Sequence, residues 1–90
     1  GGEIDIIALD GKTLVFIEVK ARGKNSLGSP FEAVDFRKAA KIERAAQAYI
    51  AQKNLYDIAA RFDVAAVYLG ESPIRVEIIK DAFQQSSSWA

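Results

Sequence analysis

The sequence predicts a mixed α/β (α+β) domain with elements in the order β-β-α-β-β. Three observations carry this reading. Two β-branched runs, 3–9 (EIDIIAL) and 13–21 (TLVFIEVKA), flank an Asp10-Gly11 turn signal. One long stretch after residue 30 repeats its apolar residues at helical spacing. Two more β-rich runs follow at 62–69 and 74–79. Strands on both sides of one helix, with no internal repeat, imply a mixed sheet with the helix packed against it. Ninety residues, half of them hydrophobic, support one small domain with a core, expected over 1–83. Residues 84–90, with three serines, read as a flexible tail.

The loop 22–30 (RGKNSLGSP) is basic and rich in Gly and Ser. Ser29-Pro30-Phe31-Glu32 then reads as an N-cap, a first-turn proline and a capping-box glutamate, with Asp35 as a second N-cap. The helix is therefore expected from about 30, or from about 36 after a short turn, ending at Lys53-Asn54. Ala39, Ile42, Ala46, Tyr49 and Ile50 form its buried stripe, with Lys38 at the rim. Tyr49 and Tyr56 both read as helix-packing residues. Residues 62–69 (FDVAAVYL) suit a buried strand, and 74–79 (IRVEII) alternate like an edge strand. Arg61 and Asp63, on one face of the third strand, read as a local ion pair at its start.

Composition narrows the chemistry. There is no cysteine and no histidine. Disulfides, thiolate and imidazole zinc sites, and Ser-His or Cys-His nucleophile pairs are thereby excluded. Any metal must be held by oxygen, which favours Mg²⁺, Mn²⁺ or Ca²⁺. No apolar run is long enough for a membrane span and no signal peptide is visible, so the expected setting is cytoplasmic, away from membranes. Net charge is zero, but its distribution is uneven. Residues 1–19 carry −3, residues 20–53 carry +5 and residues 54–90 carry −2. The middle segment, with Arg22, Lys24, Arg37, Lys41 and Arg44, is the candidate phosphate-contacting surface.

The first two strands carry acids inside apolar, β-branched runs, where a charge is costly unless it is paired, bound to a metal or wet. Side chains alternate along a strand, so Glu3 and Asp5 share one face, and Glu18 and Lys20 share another. Either even-length hairpin loop brings Asp5, Glu18 and Lys20 to a common face. A register sum of 21 sets Asp5 diagonal to Glu18; a sum of 23 sets Asp5 opposite Glu18 and Glu3 opposite Lys20. Facing carboxylates about 5 Å apart can share one cation. A lysine beside them can orient water or neutralise charge on phosphorus. The plainer alternative is a cross-strand ion pair, Glu3 with Lys20, on a solvated face.

At these residues the chain resembles the YraN-like family, within the PD-(D/E)xK (restriction-endonuclease-like, Holliday-junction-resolvase-like) nuclease superfamily. The matching stretches are GGEIDIIALDGKTLVFIEVKAR, SPFEAV followed by Lys38, AAQAYI, RFDVAAV and DAF. The resemblance implies a restriction-endonuclease-like core. It carries over Asp5 as the motif aspartate, Glu18 as the second acid and Lys20 as the lysine, with Lys38 at a further polar position on the following helix. It implies a Mg²⁺- or Mn²⁺-dependent endonuclease acting on DNA rather than RNA, with branched DNA among its substrates. Asp5 and Glu18, joined by the Val19 carbonyl, would hold the metal. Lys20 would position the attacking water and Lys38 would contact phosphate or water. A helix and strand usual in the family ahead of GEID are missing here, which leaves a face that a homodimer or domain-swapped oligomer could cover. The rival reading is a non-catalytic nucleic-acid-binding or assembly module that retains the fold.

Overall fold

The computed structural model describes residues 4–23 and 36–82. The elements are β1 (Ile6–Asp10), β2 (Thr13–Arg22), α1 (Phe36–Lys53), β3 (Ala60–Tyr68) and β4 (Arg75–Ile79). They build an open four-stranded mixed sheet in the order β1-β2-β3-β4, with one helix. The predicted order β-β-α-β-β is therefore the observed one. β1 pairs antiparallel with β2, β2 parallel with β3, and β3 antiparallel with β4. The helix lies within the crossover that a parallel pair requires. Glu3, Lys24, the capping signals at 29–35 and the tail at 84–90 lie outside the described residues.

The hairpin differs from expectation by one residue at its turn. Asp10 pairs with Thr13, so the loop is Gly11-Lys12 rather than Asp10-Gly11. Gly11 has φ +62°, at the loop position where a type II′ turn places glycine. Every partner pair sums to 23, as in Ile6 with Ile17 and Ile7 with Phe16.

Residues paired across strands share a face. Leu14, Phe16, Glu18 and Lys20 of β2 thus stand beside Ala60, Phe62, Val64 and Ala66 of β3. Leu14, Phe16 and Phe62 of this face meet Ile42, Ala46 and Ile50 of α1 to form the core, with Leu55, Ile58 and Ala60 packed at its side. Phe16 stacks on Phe62 with ring centroids 5.6 Å apart and meets Tyr49 edge-on at 6.0 Å. Tyr49 is the packing residue the sequence predicted. Tyr56 is not: it lies in the turn after the helix and is 69% exposed.

The helix ends in a Schellman motif. Leu55 N–H donates to the Ile50 carbonyl at 2.9 Å and Asn54 N–H to the Ala51 carbonyl at 3.3 Å. Asn54 occupies the left-handed position, φ +56°. Asn tolerates that backbone far better than Ala does. Asn54→Ala is therefore expected to lower stability by about 1 kcal/mol and Asn54→Gly to leave it unchanged or raised. Urea unfolding measures both, and equal losses would show that the backbone geometry is not the cause.

The Arg61–Asp63 pair forms and extends further than a local contact. Asp63, 2% exposed, accepts from Arg61 at 3.0 Å and from the Asp81 N–H at 2.9 Å. Arg61 also reaches Asp10 at 2.9 Å, joining the β1–β2 hairpin to β3. That guanidinium, followed by Lys80, holds the Asp10 carboxyl below its ordinary range.

Candidate active site

Burial selects the centre of the site. Glu18 is 5% exposed on the helix-facing side of the sheet, and a lone carboxylate there would be strongly unfavourable. Two ammonium groups meet it. Lys38, in the first turn of α1, places Nζ 2.6 Å from Glu18 Oε1. Lys20, two residues along β2, places Nζ 3.6 Å from the same oxygen. The strand sets the spacing of Glu18 and Lys20. Helix docking sets Lys38, one turn before the buried Ile42.

Asp5 immediately precedes β1. Extending the register by one pair sets it opposite Glu18, and its Oδ2 accepts the Val19 N–H at 2.9 Å. The side chain thus continues the ladder where the backbone of β1 stops, which holds the carboxylate at the sheet margin. Its charge reaches Lys38 and helps to raise that lysine's pKa. Asp5, Glu18, Lys20 and Lys38 are therefore gathered at one place.

The two lysines are not equivalent. Lys38 is raised, first by its hydrogen bond to Glu18 and then by its contact with Lys20. Lys20 is lowered, first by the Lys38 contact, then by burial and repulsion from the Lys38 charge. Lys20 is expected to release its proton at lower pH than Lys38. Nζ chemical shifts followed through an alkaline titration check this, and the reverse order would contradict the asymmetric contacts.

The donor set suits a hard cation. Among the described residues there is no group of three or more acidic side chains that could form an all-protein cage. Asp5, Glu18 and the Val19 carbonyl remain, and Mg²⁺ commonly binds through one or two carboxylates while keeping several waters. Such an ion would exchange with the Lys38 ammonium for Glu18 Oε1.

Arg37, Lys41 and Arg44 are exposed along α1, spaced four and three residues apart on one face. Among the described residues none of the three forms an ion pair closer than 4 Å. Arg22, half-buried, lies at the end of β2 beside Tyr68 of β3, two residues beyond Lys20. Sequence reasoning did not anticipate the stacking at this end: the Arg75 guanidinium lies 3.8 Å from the centroid of the Tyr68 ring. The available signal was period-two alternation, which sets both residues on the Arg22 side once the register is known. Lys38 was expected at phosphate or water; its direct pairing with Glu18 became visible only with the helix docked.

The family model described as "Uncharacterised protein family UPF0102" matches residues 1–67. A UPF0102 protein of Desulforapulum autotrophicum is 49% identical over 82 residues, covering 91% of this chain and 68% of that protein. One from Geotalea daltonii is 51% identical over 83 residues, covering 91% and 65%. One from Moorella thermoacetica is 45% identical over 84 residues, covering 91% and 70%. The chain thus spans about two thirds of the length of these relatives.

Proposed function

The chain belongs to the UPF0102 family, and we propose that it is the core of a metal-dependent nuclease of the PD-(D/E)xK type, hydrolysing phosphodiester bonds in DNA. The observation that carries this reading is the gathering of a buried glutamate, a second carboxylate and two lysines on one sheet margin. Asp5, Glu18 and the Val19 carbonyl would hold Mg²⁺ or Mn²⁺. When bound, such an ion polarises a phosphoryl oxygen and lowers the pKa of its water. Lys20, beside Glu18, orients the attacking water and offsets charge developing on phosphorus. Lys38 keeps its charge and turns to a non-bridging phosphate oxygen. Arg22, Lys24, Arg37, Lys41 and Arg44 supply backbone contacts that read no sequence.

A specific observation supports the second reading. Glu18 is already neutralised by two ammonium groups, an arrangement that also suits a non-catalytic nucleic-acid-binding module. Calorimetry with Mg²⁺ and Mn²⁺ separates the two. The wild type is expected to bind, and an Asp5→Asn/Glu18→Gln variant is expected not to. Absence of binding in the wild type would leave the ion pairs as the role of these residues.

A further inference from the structure

We propose that β4 is a self-pairing edge through which two copies of this chain join into one continuous eight-stranded sheet. Among the described residues β4 is an outer strand, bonded to β3 on one side alone. Residues 74–78 are all exposed. Ile74, Val76 and Ile78 expose 57%, 55% and 49% of their surfaces. Val76 and Ile78 lie on the side of the sheet away from the helix, and Ile74, immediately before β4, continues their alternation. Arg75 and Glu77 alternate with them on the helix side. Soluble proteins usually protect such an edge with lysine, proline or a bulge. Arg75–Ile79 contains neither residue, although Pro73 and Lys80 flank it, and its register against β3 is unbroken. Its two charges, Arg75 and Glu77, protect a short edge against unlike strands but are of opposite sign, so a second copy can pair them.

The pattern is complementary to itself. An antiparallel pairing centred on Val76 sets Arg75 opposite the partner's Glu77, Val76 opposite the partner's Val76, and Ile74 opposite the partner's Ile78. Directly opposed Cβ atoms lie about 5 Å apart, so the dimer sets two Arg75–Glu77 pairs on one face and three apolar pairs on the other. Within one copy Arg75 already lies 3.1 Å from Glu71 and 3.6 Å from Glu77, so the partner's Glu77 joins an existing charge cluster. The contact is isologous, as a two-fold dimer requires. The other edge, β1, lacks this property. Ile6–Asp10 carries an acid and no cation, so a second β1 offers it no charge partner. A strand-to-strand contact alone is small, so the dimer is weak, with dissociation in the micromolar range or above.

The two-fold axis stands perpendicular to the sheet and leaves both helices on the same side. The two Glu18 strands are then five strand spacings apart, about 24 Å. On the nuclease reading, both sites face the same side of one bound duplex; the pairing itself does not depend on that reading.

Sedimentation velocity across a concentration series tests the proposal. Wild type is expected to shift from monomer toward dimer as concentration rises. Arg75→Glu and Glu77→Arg should each weaken the association by ten-fold or more, and the double exchange should recover it. Circular dichroism and thermal melting show whether each variant remains folded. Val76→Lys, which leaves the Arg75–Glu71 and Arg75–Glu77 contacts within each copy intact, should abolish dimerisation. A wild type that stays monomeric throughout overturns the proposal, and protection of the outward β4 amides in that monomer would show the edge covered by the chain itself. Association that survives Val76→Lys but is lost with Ile6→Lys would assign the contact to β1 and equally overturn it.

Discussion

Glu18→Gln is expected to abolish metal-dependent cleavage while nucleic-acid binding survives. The amide keeps the shape of the side chain but loses the charge that holds a cation. The Lewis-acid contribution at stake is several kcal/mol, or a rate loss of about 10³-fold or more. The basic residues of α1 are untouched, so phosphate contacts persist. The measurement requires the complete protein and a panel of linear, flapped and four-way DNA with matching RNA. Lys20→Ala should also impair turnover, yet leave metal affinity equal or higher because a neighbouring positive charge is gone. Cleavage that persists in Glu18→Gln would show that the site lies elsewhere. A wild type that binds metal and nucleic acid but cuts nothing would favour the non-catalytic module.

Phe16→Ala is expected to have the largest effect on stability, about 3–5 kcal/mol. Phe16 is 1% exposed and sits between the rings of Phe62 and Tyr49. Small domains have only about 5–15 kcal/mol of total stability, so this single truncation leaves the chain near its unfolding threshold. Phe16→Leu, which refills most of the volume, should cost much less. Denaturant unfolding monitored by circular dichroism gives both values. A Phe16→Ala loss below about 1 kcal/mol would mean that helix and sheet do not meet at this ring.

The order of elements along the chain and the hairpin were legible because they rest on local chemistry: β-branched alternation and a glycine where the turn needs positive φ. The turn was displaced by one residue because Asp10 serves better as a strand residue, paired with Thr13 and bound to Arg61. That contact comes from β3, far along the chain, and no local pattern encodes it. The convergence of Asp5 with Glu18 followed from parity, and the observed sum of 23 is the register that opposes them. Asp5's bond to the Val19 amide was not readable, since it depends on where β1 stops. Tyr56 misled because aromatic identity signals burial, whereas its turn position exposes it. The YraN-like reading holds at the level of the UPF0102 family. The nuclease activity is what the geometry leads us to propose.

The bond between Asp5 and Val19 makes one backbone amide a witness to whatever happens at the site. Val19 N–H is held by Asp5 Oδ2 at 2.9 Å, and the carbonyl of the same residue belongs to the proposed donor set. If Asp5 turns toward an incoming ion, that amide proton must find water or another acceptor. Its resonance would move upfield and its hydrogen exchange would quicken, while the neighbouring β2 amides, bonded to backbone, would change little. The occupancy of the site could then be followed at a single proton, without a substrate.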